Sequence, residues 1–453
     1  MAATAIDALS GTGGQIGPEH RITTLESGVR VVTERVPEVR SVALGFLVGA
    51  GSSGEQEGEA GISHLLEHML FRGTASYGSQ EIDQLFDAMG AEINAGTDKD
   101  TTSLYTRVLD GHLERAFDVM ADMIWRPTFG ELEAEREVVL EEIAMYEDDP
   151  QDRVFEELGG AIFGSHPLGR PVIGRAETVG SVSREQLAAY RDELYLPGAI
   201  VIAAAGSVDH DRLVELVGAA EPAAGGGMPP ASAGAGRAEA QAAVLVPPDF
   251  TPRTRFLQKD TEQFHVCLGG AGLARNDERR FALRVLEGIL GGTSSSRLFQ
   301  EIRERRGLAY SVFCYANGYA RTGEVGVYVG TRPENLPEAL SVLAAELRRA
   351  VEDPASEAEL VRSRENLKGR MALSLESTGA RMGRLGAALL GGLPILSLGE
   401  VIERIDAVEI EDLRELAAEL FVPERLSLAG VGPDESRFHA AIEPLRGVEE
   451  RAA

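Results

Sequence analysis

The stretch Gly61-Ile-Ser-His-Leu-Leu-Glu-His-Met-Leu-Phe71 decides how the chain is read. Within it Ile62, Leu65, Leu66, Met69 and Leu70 recur at the i, i+3, i+4, i+7, i+8 spacing of a helix with one face turned to a core. Successive helical residues turn by about 100°, so His64, Glu67 and His68 leave the opposite side within an arc of roughly 100°. Two imidazoles one turn apart reach one metal ion, and a carboxylate stands between them. His-x-x-Glu-His reverses the zinc-binding His-Glu-x-x-His order, with the His pair as ligands and the Glu as general base. A five-residue pattern also arises by chance, and a helical His is usually just a satisfied polar residue. Context must decide.

At 453 residues the chain is too long for one core and implies two or more domains. Its 43% hydrophobic and 26% charged content describe a soluble globular protein. Net charge is −28, which argues against nucleic acid as a partner, since phosphate binding needs concentrated Lys and Arg. Acidity is compatible with basic peptides, although a solvated surface explains most of those charges. No apolar run approaches the ~20 residues needed to span a bilayer, so no membrane association is expected. The N-terminus has neither the charge nor the apolar run of a secretory signal, and its first Arg is Arg21. Two cysteines, Cys267 and Cys314, cannot form a disulfide framework and read as buried small hydrophobes. A cytoplasmic location is expected.

Working outward, two strand-like runs, 29–34 and 41–48, precede the helix. Gly49-Ala-Gly-Ser-Ser-Gly54 matches a dinucleotide fingerprint, but Glu55, Glu57 and Glu59 would repel a pyrophosphate, so it reads as a loop. A helix over 79–89 ends at Gly90, and strands follow at 91–97 and 101–108. Helix 113–125 stops at Pro127, and a long acidic helix runs over 131–147. A strand at 199–205 and a helix at 209–219 complete a first half. The Gly/Ala/Pro-rich stretch 223–236 reads as a linker.

The second half repeats the first. Leu283-Arg-Val-Leu-Glu-Gly-Ile-Leu290 lies over residues 63–70, and the segment 359–370 lies over 131–142. His64 then corresponds to Arg284, His68 to Gly288 and Glu142 to Arg370, so only the first half can hold a metal. The expected boundaries are a lead-in at 1–19, a metal-binding domain at 20–222, a linker at 223–245 and a metal-free domain at 246–453. Within the acidic helix, spacing alone does not choose among Glu135, Glu137, Glu141 and Glu142 as a further ligand; Glu135 and Glu142, two turns apart, share a face.

Three elements in order, His64–Thr74, Glu135–Glu142 and Gly291–Tyr310, resemble the insulinase and mitochondrial processing peptidase family of zinc metallopeptidases over about residues 22–432. The resemblance implies an α+β fold of two homologous sandwich halves, each a mostly antiparallel sheet with helices packed on it. It implies Zn2+ as cofactor, with His64, His68 and Glu142 as ligands and Glu135 as the supporting carboxylate. Glu67 becomes the general base toward a zinc-bound water, and Arg303 and Tyr310 grip the substrate near the scissile carbonyl. Asn94 and Ala95 match an edge strand that takes an extended peptide. The expected activity is zinc-dependent endopeptidase cleavage of peptides or unfolded segments inside an enclosed chamber. The expected assembly is a homodimer in which Arg303 and Tyr310 serve the partner's zinc site. Relatives of this family also include non-catalytic core subunits, which typically lack the ligands, and processing subunits that need a different partner chain.

Overall fold

The computed structural model describes residues 20–220, 246–353 and 355–446. The lead-in 1–19 and the linker 223–245 therefore lie outside the described residues. The first sheet contains β1 (His20–Thr24), β2 (Arg30–Arg35), β3 (Ser41–Val48), β4 (Glu92–Thr97), β5 (Thr102–Leu109) and β6 (Ile200–Gly206), ordered β1-β2-β6-β3-β5-β4. Only the β2/β6 pair is parallel. The second sheet contains β7 (Thr254–Gln258), β8 (Phe264–Gly272), β9 (Ala309–Gly318), β10 (Gly323–Thr331) and β11 (Ser427–Gly432), ordered β7-β11-β8-β10-β9. Here only β7/β11 is parallel. Without β1, the two sheets have the same order and the same single parallel pair, so the internal repeat extends to topology. The fold is α+β in two homologous halves.

Helices of the first half are α1 (Ile62–Met69), α2 (Ser79–Ala88), α3 (Leu113–Trp125), α4 (Leu132–Asp148), α5 (Pro150–Phe163), α6 (Ala176–Ser181), α7 (Arg184–Leu194) and α8 (His210–Ala220). Those of the second are α9 (Arg280–Leu290), α10 (Leu336–Glu352), α11 (Glu357–Ser374), α12 (Thr378–Leu390), α13 (Leu398–Asp406), α14 (Ile410–Leu420) and α15 (Glu435–Ala441). None of the described helices is long and apolar enough to cross a membrane.

Each sheet is covered on both faces. Val42, Leu44, Phe46 and Val48 of β3 alternate onto a core with α1 and α3. The other face of that sheet receives α12, from the second half, through Met382 and Leu385. Small residues make this approach possible: a Cβ at Gly45 would stand 2.5 Å from Met382 Sδ, and one at Gly386 would stand 2.5 Å from Leu47 Cδ1. The exchange is mutual. Val154, Leu158 and Ile162 of α5, from the first half, pack on Cys267, Ala429 and Val431 of the second sheet. A Cβ at Gly269 would fall 2.8 Å from Ile162 Cδ1. A partition at 20–222 and 246–453 thus cuts across the packing, because each half lends the other one helix. The fully buried Glu34 carboxylate of β2 also pairs with Arg381 and Arg384 of α12.

Candidate metal centre

The apolar stripe of α1 is wholly buried, with Ile62, Leu65, Leu66, Met69 and Leu70 all at 0% exposure. That anchoring turns His64, Glu67 and His68 away from the core. The helix starts at Gly61, whose φ of 96° suits glycine, and where a Cβ would stand 2.7 Å from Ile173 O. Glu55 closes the helix start by accepting from the Gly61 and Ser63 N–H groups, each at 2.9 Å. Burial pushes the Glu55 carboxyl up to about 7, against those hydrogen bonds.

The rings of His64 and His68 have centroids 4.6 Å apart. Glu142 of α4 brings Oε2 to 3.4 Å from His68 Nε2 and 3.8 Å from His64 Nε2. One donor atom from each side chain lies within 4.8 Å of the others, and among the described residues no other His, Cys, Asp or Glu trio converges so closely. Glu135, two turns earlier on α4, meets His68 Nδ1 at 2.8 Å and also pairs with Arg72. A carboxylate on Nδ1 leaves Nε2 with its lone pair toward Glu142 and fixes the ring's orientation.

Electrostatics separate the two imidazoles. Burial and the neighbouring His68 push His64 down to about 4, so it is neutral and able to donate a lone pair at neutral pH. Burial also pulls on His68, but Glu135, Glu142 and Glu67 outweigh it and the net direction is upward. Burial would raise Glu135 as well; its hydrogen bonds with His68 and Arg72 prevail and hold it low. Glu67 is raised by burial, and the Thr97 hydroxyl moderates the rise by donating to Oε2 at 2.6 Å.

Two neutral-capable imidazole nitrogens, one carboxylate and an adjacent unshared carboxylate fit a zinc ion with an open coordination position. His64 Nδ1 is buried without a hydrogen-bond partner among the described residues, and Nε2 is the nitrogen that faces Glu142.

A cavity of about 590 Å³ opens beside His64, Glu67 and Glu142. Ala95, Gly96 and Thr97 of β4 form one wall, and β4 is the outermost strand of its sheet. Asn94 is exposed, with its own Oδ1 accepting the Ala95 N–H at 2.8 Å. The second half contributes Asn317, Tyr319 and Glu324 to the cavity. The turn between β4 and β5 is tied to that half, since Asp100 Oδ2 accepts from Arg275 at 2.8 Å and from the Ala320 N–H at 3.1 Å.

Arg303 and Tyr310 are brought to each other but not to this cavity, whose lining includes neither. The Arg303 guanidinium lies 4.4 Å from the Tyr310 ring centroid and donates to Tyr310 O at 2.9 Å. Tyr310 is 76% exposed. Two residues of the site escape sequence reasoning. Thr97 had a signal, since it follows Ile93 and Ala95 at the period of a strand's inner face. Arg72 also had one, standing one helical turn beyond His68.

Comparisons with known proteins agree on the lineage. The family model "Insulinase (Peptidase family M16)" matches residues 30–176, and "Peptidase M16 inactive domain" matches residues 181–367. An uncharacterized zinc protease of Streptomyces coelicolor is 41% identical over 432 residues, covering 93% of this chain and 92% of that one. The uncharacterized zinc protease YmxG of Bacillus subtilis is 40% identical over 414 residues, covering 90% and 97%. Among solved structures, a protease from Helicobacter pylori superposes with a TM-score of 0.83 at 22% identity, covering 92% of this chain and 100% of that one. The peptidase M16 inactive domain protein from Pseudomonas fluorescens gives a TM-score of 0.81 at 23% identity, covering 92% and 98%. With the two family models matching residues 30–176 and 181–367 and nine-tenths of the chain shared with such relatives, the chain belongs to the insulinase family, peptidase family M16.

Proposed function

We propose that the chain is a zinc-dependent endopeptidase acting on peptides or unfolded segments. The observation that carries this reading is the convergence of His64, His68 and Glu142 with Glu67 beside them and outside the donor set. The relatives named as zinc proteases support it. When bound, zinc supplies Lewis acidity, polarising a peptide carbonyl and acidifying water.

The chain's own residues do the rest. His64 and His68 would hold the metal through Nε2, and Glu142 through a carboxylate oxygen. Glu135, itself paired with Arg72, keeps the His68 ring turned and its Nδ1 proton held. Glu67 accepts the proton of the attacking water and delivers it to the leaving amine, while the Thr97 hydroxyl holds its carboxylate. The free edge of β4 at Asn94 and Ala95 aligns an extended peptide by main-chain pairing, which tolerates many side chains. Arg303 and Tyr310 would place a cation and a phenol near the developing oxyanion of the partner subunit's site in a homodimer, within a chamber shared by the two chains. Their absence from the lining of their own chain's cavity supports service in trans.

The test is digestion of a peptide library with and without a chelator. Cleavage should stop on chelation and return with zinc. Glu67→Gln should lower turnover by about 100-fold or more while keeping the metal. Unimpaired turnover in Glu67→Gln would remove it from the role of base.

A further inference from the structure

The internal repeat provides a second cleft at the place that corresponds to the metal centre. In the first half the donors stand between α1 and α4; the matching helices of the second half are α9 and α11. Arg284 occupies the position of His64, Gly288 that of His68 and Arg370 that of Glu142. At the same offsets, Glu287 takes the place of Glu67 and Ser363 that of Glu135.

Between these helices lies a cleft of about 400 Å³, lined among others by Arg284, Glu287, Asn366 and Arg370. A smaller recess sharing Asn366 and Ser363 is lined by Arg362. Arg362, Asn366 and Arg370 follow one another at four-residue spacing and so share a face of α11. Arg284 is paired with Glu287 at 2.7 Å. Arg362 and Arg370 are exposed and have no hydrogen-bond or ion-pair partner among the described residues.

The floor of the cleft is closed to the chemistry of the first half. A Cβ at Gly288 would meet Ser363 Oγ at 2.5 Å, and Ser363 Oγ donates to Val285 O at 2.8 Å. No imidazole or second carboxylate lines this cleft, where Arg284 and Arg370 meet the single carboxylate of Glu287; the recess that Arg362 lines also holds Glu359, whose carboxylate pairs with Arg297. In a chain carrying a net charge of −28, Arg362 and Arg370 stand on one helix face without a carboxylate partner among the described residues. Guanidinium forks match oxyanions of carboxylate or phosphate shape, and an amide N–H2 adds a further donor. The repeat has kept the cleft and inverted its charge.

We propose that the cleft between α9 and α11 binds a compact oxyanion, a carboxylate or phosphate group, through Asn366 and Arg370, with Arg362 one turn further along the same face of α11. The inference does not rest on the peptidase reading.

Isothermal titration calorimetry on the full-length, metal-loaded protein tests it. The titrants are inorganic phosphate, acetyl-trialanine with a free carboxylate, and the same peptide as its amide. Phosphate should bind the wild type, and the double variant Arg362→Ala/Arg370→Ala should weaken it by about ten-fold or more. Asn366→Asp, which adds a carboxylate to the same face, should weaken it comparably; thermal melts of all three proteins should coincide, since these side chains are exposed. Loss of the peptide acid in the double variant, with no effect on the amide, assigns the site to peptide carboxylates. Loss of phosphate alone assigns it to a free anion, and either result supports the proposal. Binding of neither phosphate nor the peptide acid by the wild type, or equal affinity in the wild type and both variants, overturns it.

Discussion

A hydroxyl is the partner that holds Glu67. The Thr97 Oγ1 donation at 2.6 Å fixes the carboxylate next to two imidazoles that are themselves fixed, one by packing and one by Glu135. Removing a hydrogen bond to a charged group costs about 1.5–3 kcal/mol. Thr97→Val should therefore lower kcat by about ten-fold or more. Thr97→Ser should recover much of the loss, and metal content should stay at the wild-type level in both. Steady-state kinetics with metal analysis checks this; a Thr97→Val enzyme with wild-type kcat would make the hydroxyl irrelevant. At this scale the sequence is informative only in part. The spacing of His64, Glu67 and His68 on an apolar helix carries its own geometry. Glu142 does not, since Glu135, Glu137 and Glu141 share its helix as candidates and periodicity separates the four only by face. Thr97 lacks any chemical label, because a strand threonine has many uses and its neighbour Glu67 lies 30 residues away.

Elements show the same division. The stripe of α1 and the alternation of β3 are local patterns, and the structure buries the faces they specify. Nothing local in α5 or α12 tells which sheet will take their apolar faces, because that depends on the shape of a surface made by other segments. The small residues Gly45 and Gly386 are the trace of that contact, but a glycine in sequence does not name its neighbour. A different joint, between α8 and the outer strands, gives a pH-dependent prediction. His210 at the start of α8 sets its ring between Thr23 of β1 at 2.8 Å and Thr33 of β2 at 2.9 Å. Burial, reinforced by Arg21, lowers its pKa. As pH falls through the ordinary histidine range, the unfolded chain gains a proton that the folded chain resists, so stability is lost on acidification. Denaturation midpoints measured between about pH 7 and pH 5 should fall more in the wild type than in His210→Gln. Parallel declines would show that His210 carries none of the dependence.

For the molecule as a whole, the repeat divides labour. One half carries the donor set, the other carries the exposed Arg303/Tyr310 pair, and the reciprocal packing of α5 and α12 joins them into one body. The two halves can be recognised in sequence because the aligned segments 63–70 and 283–290 keep their apolar pattern while losing their ligands. Service in trans can be tested by mixing Glu67→Gln with Tyr310→Phe. In a mixed dimer one site combines an intact Glu67 with the partner subunit's intact Tyr310, so activity should return once subunits exchange. No recovery after exchange has been verified would confine the pair to some other role. The stoichiometry of bound metal in the full-length protein tests the zinc centre itself. About one zinc per chain is expected, lost in His68→Ala and Glu142→Ala but retained in Glu67→Gln; a wild type without zinc, or zinc retained in Glu142→Ala, would contradict a His64/His68/Glu142 centre.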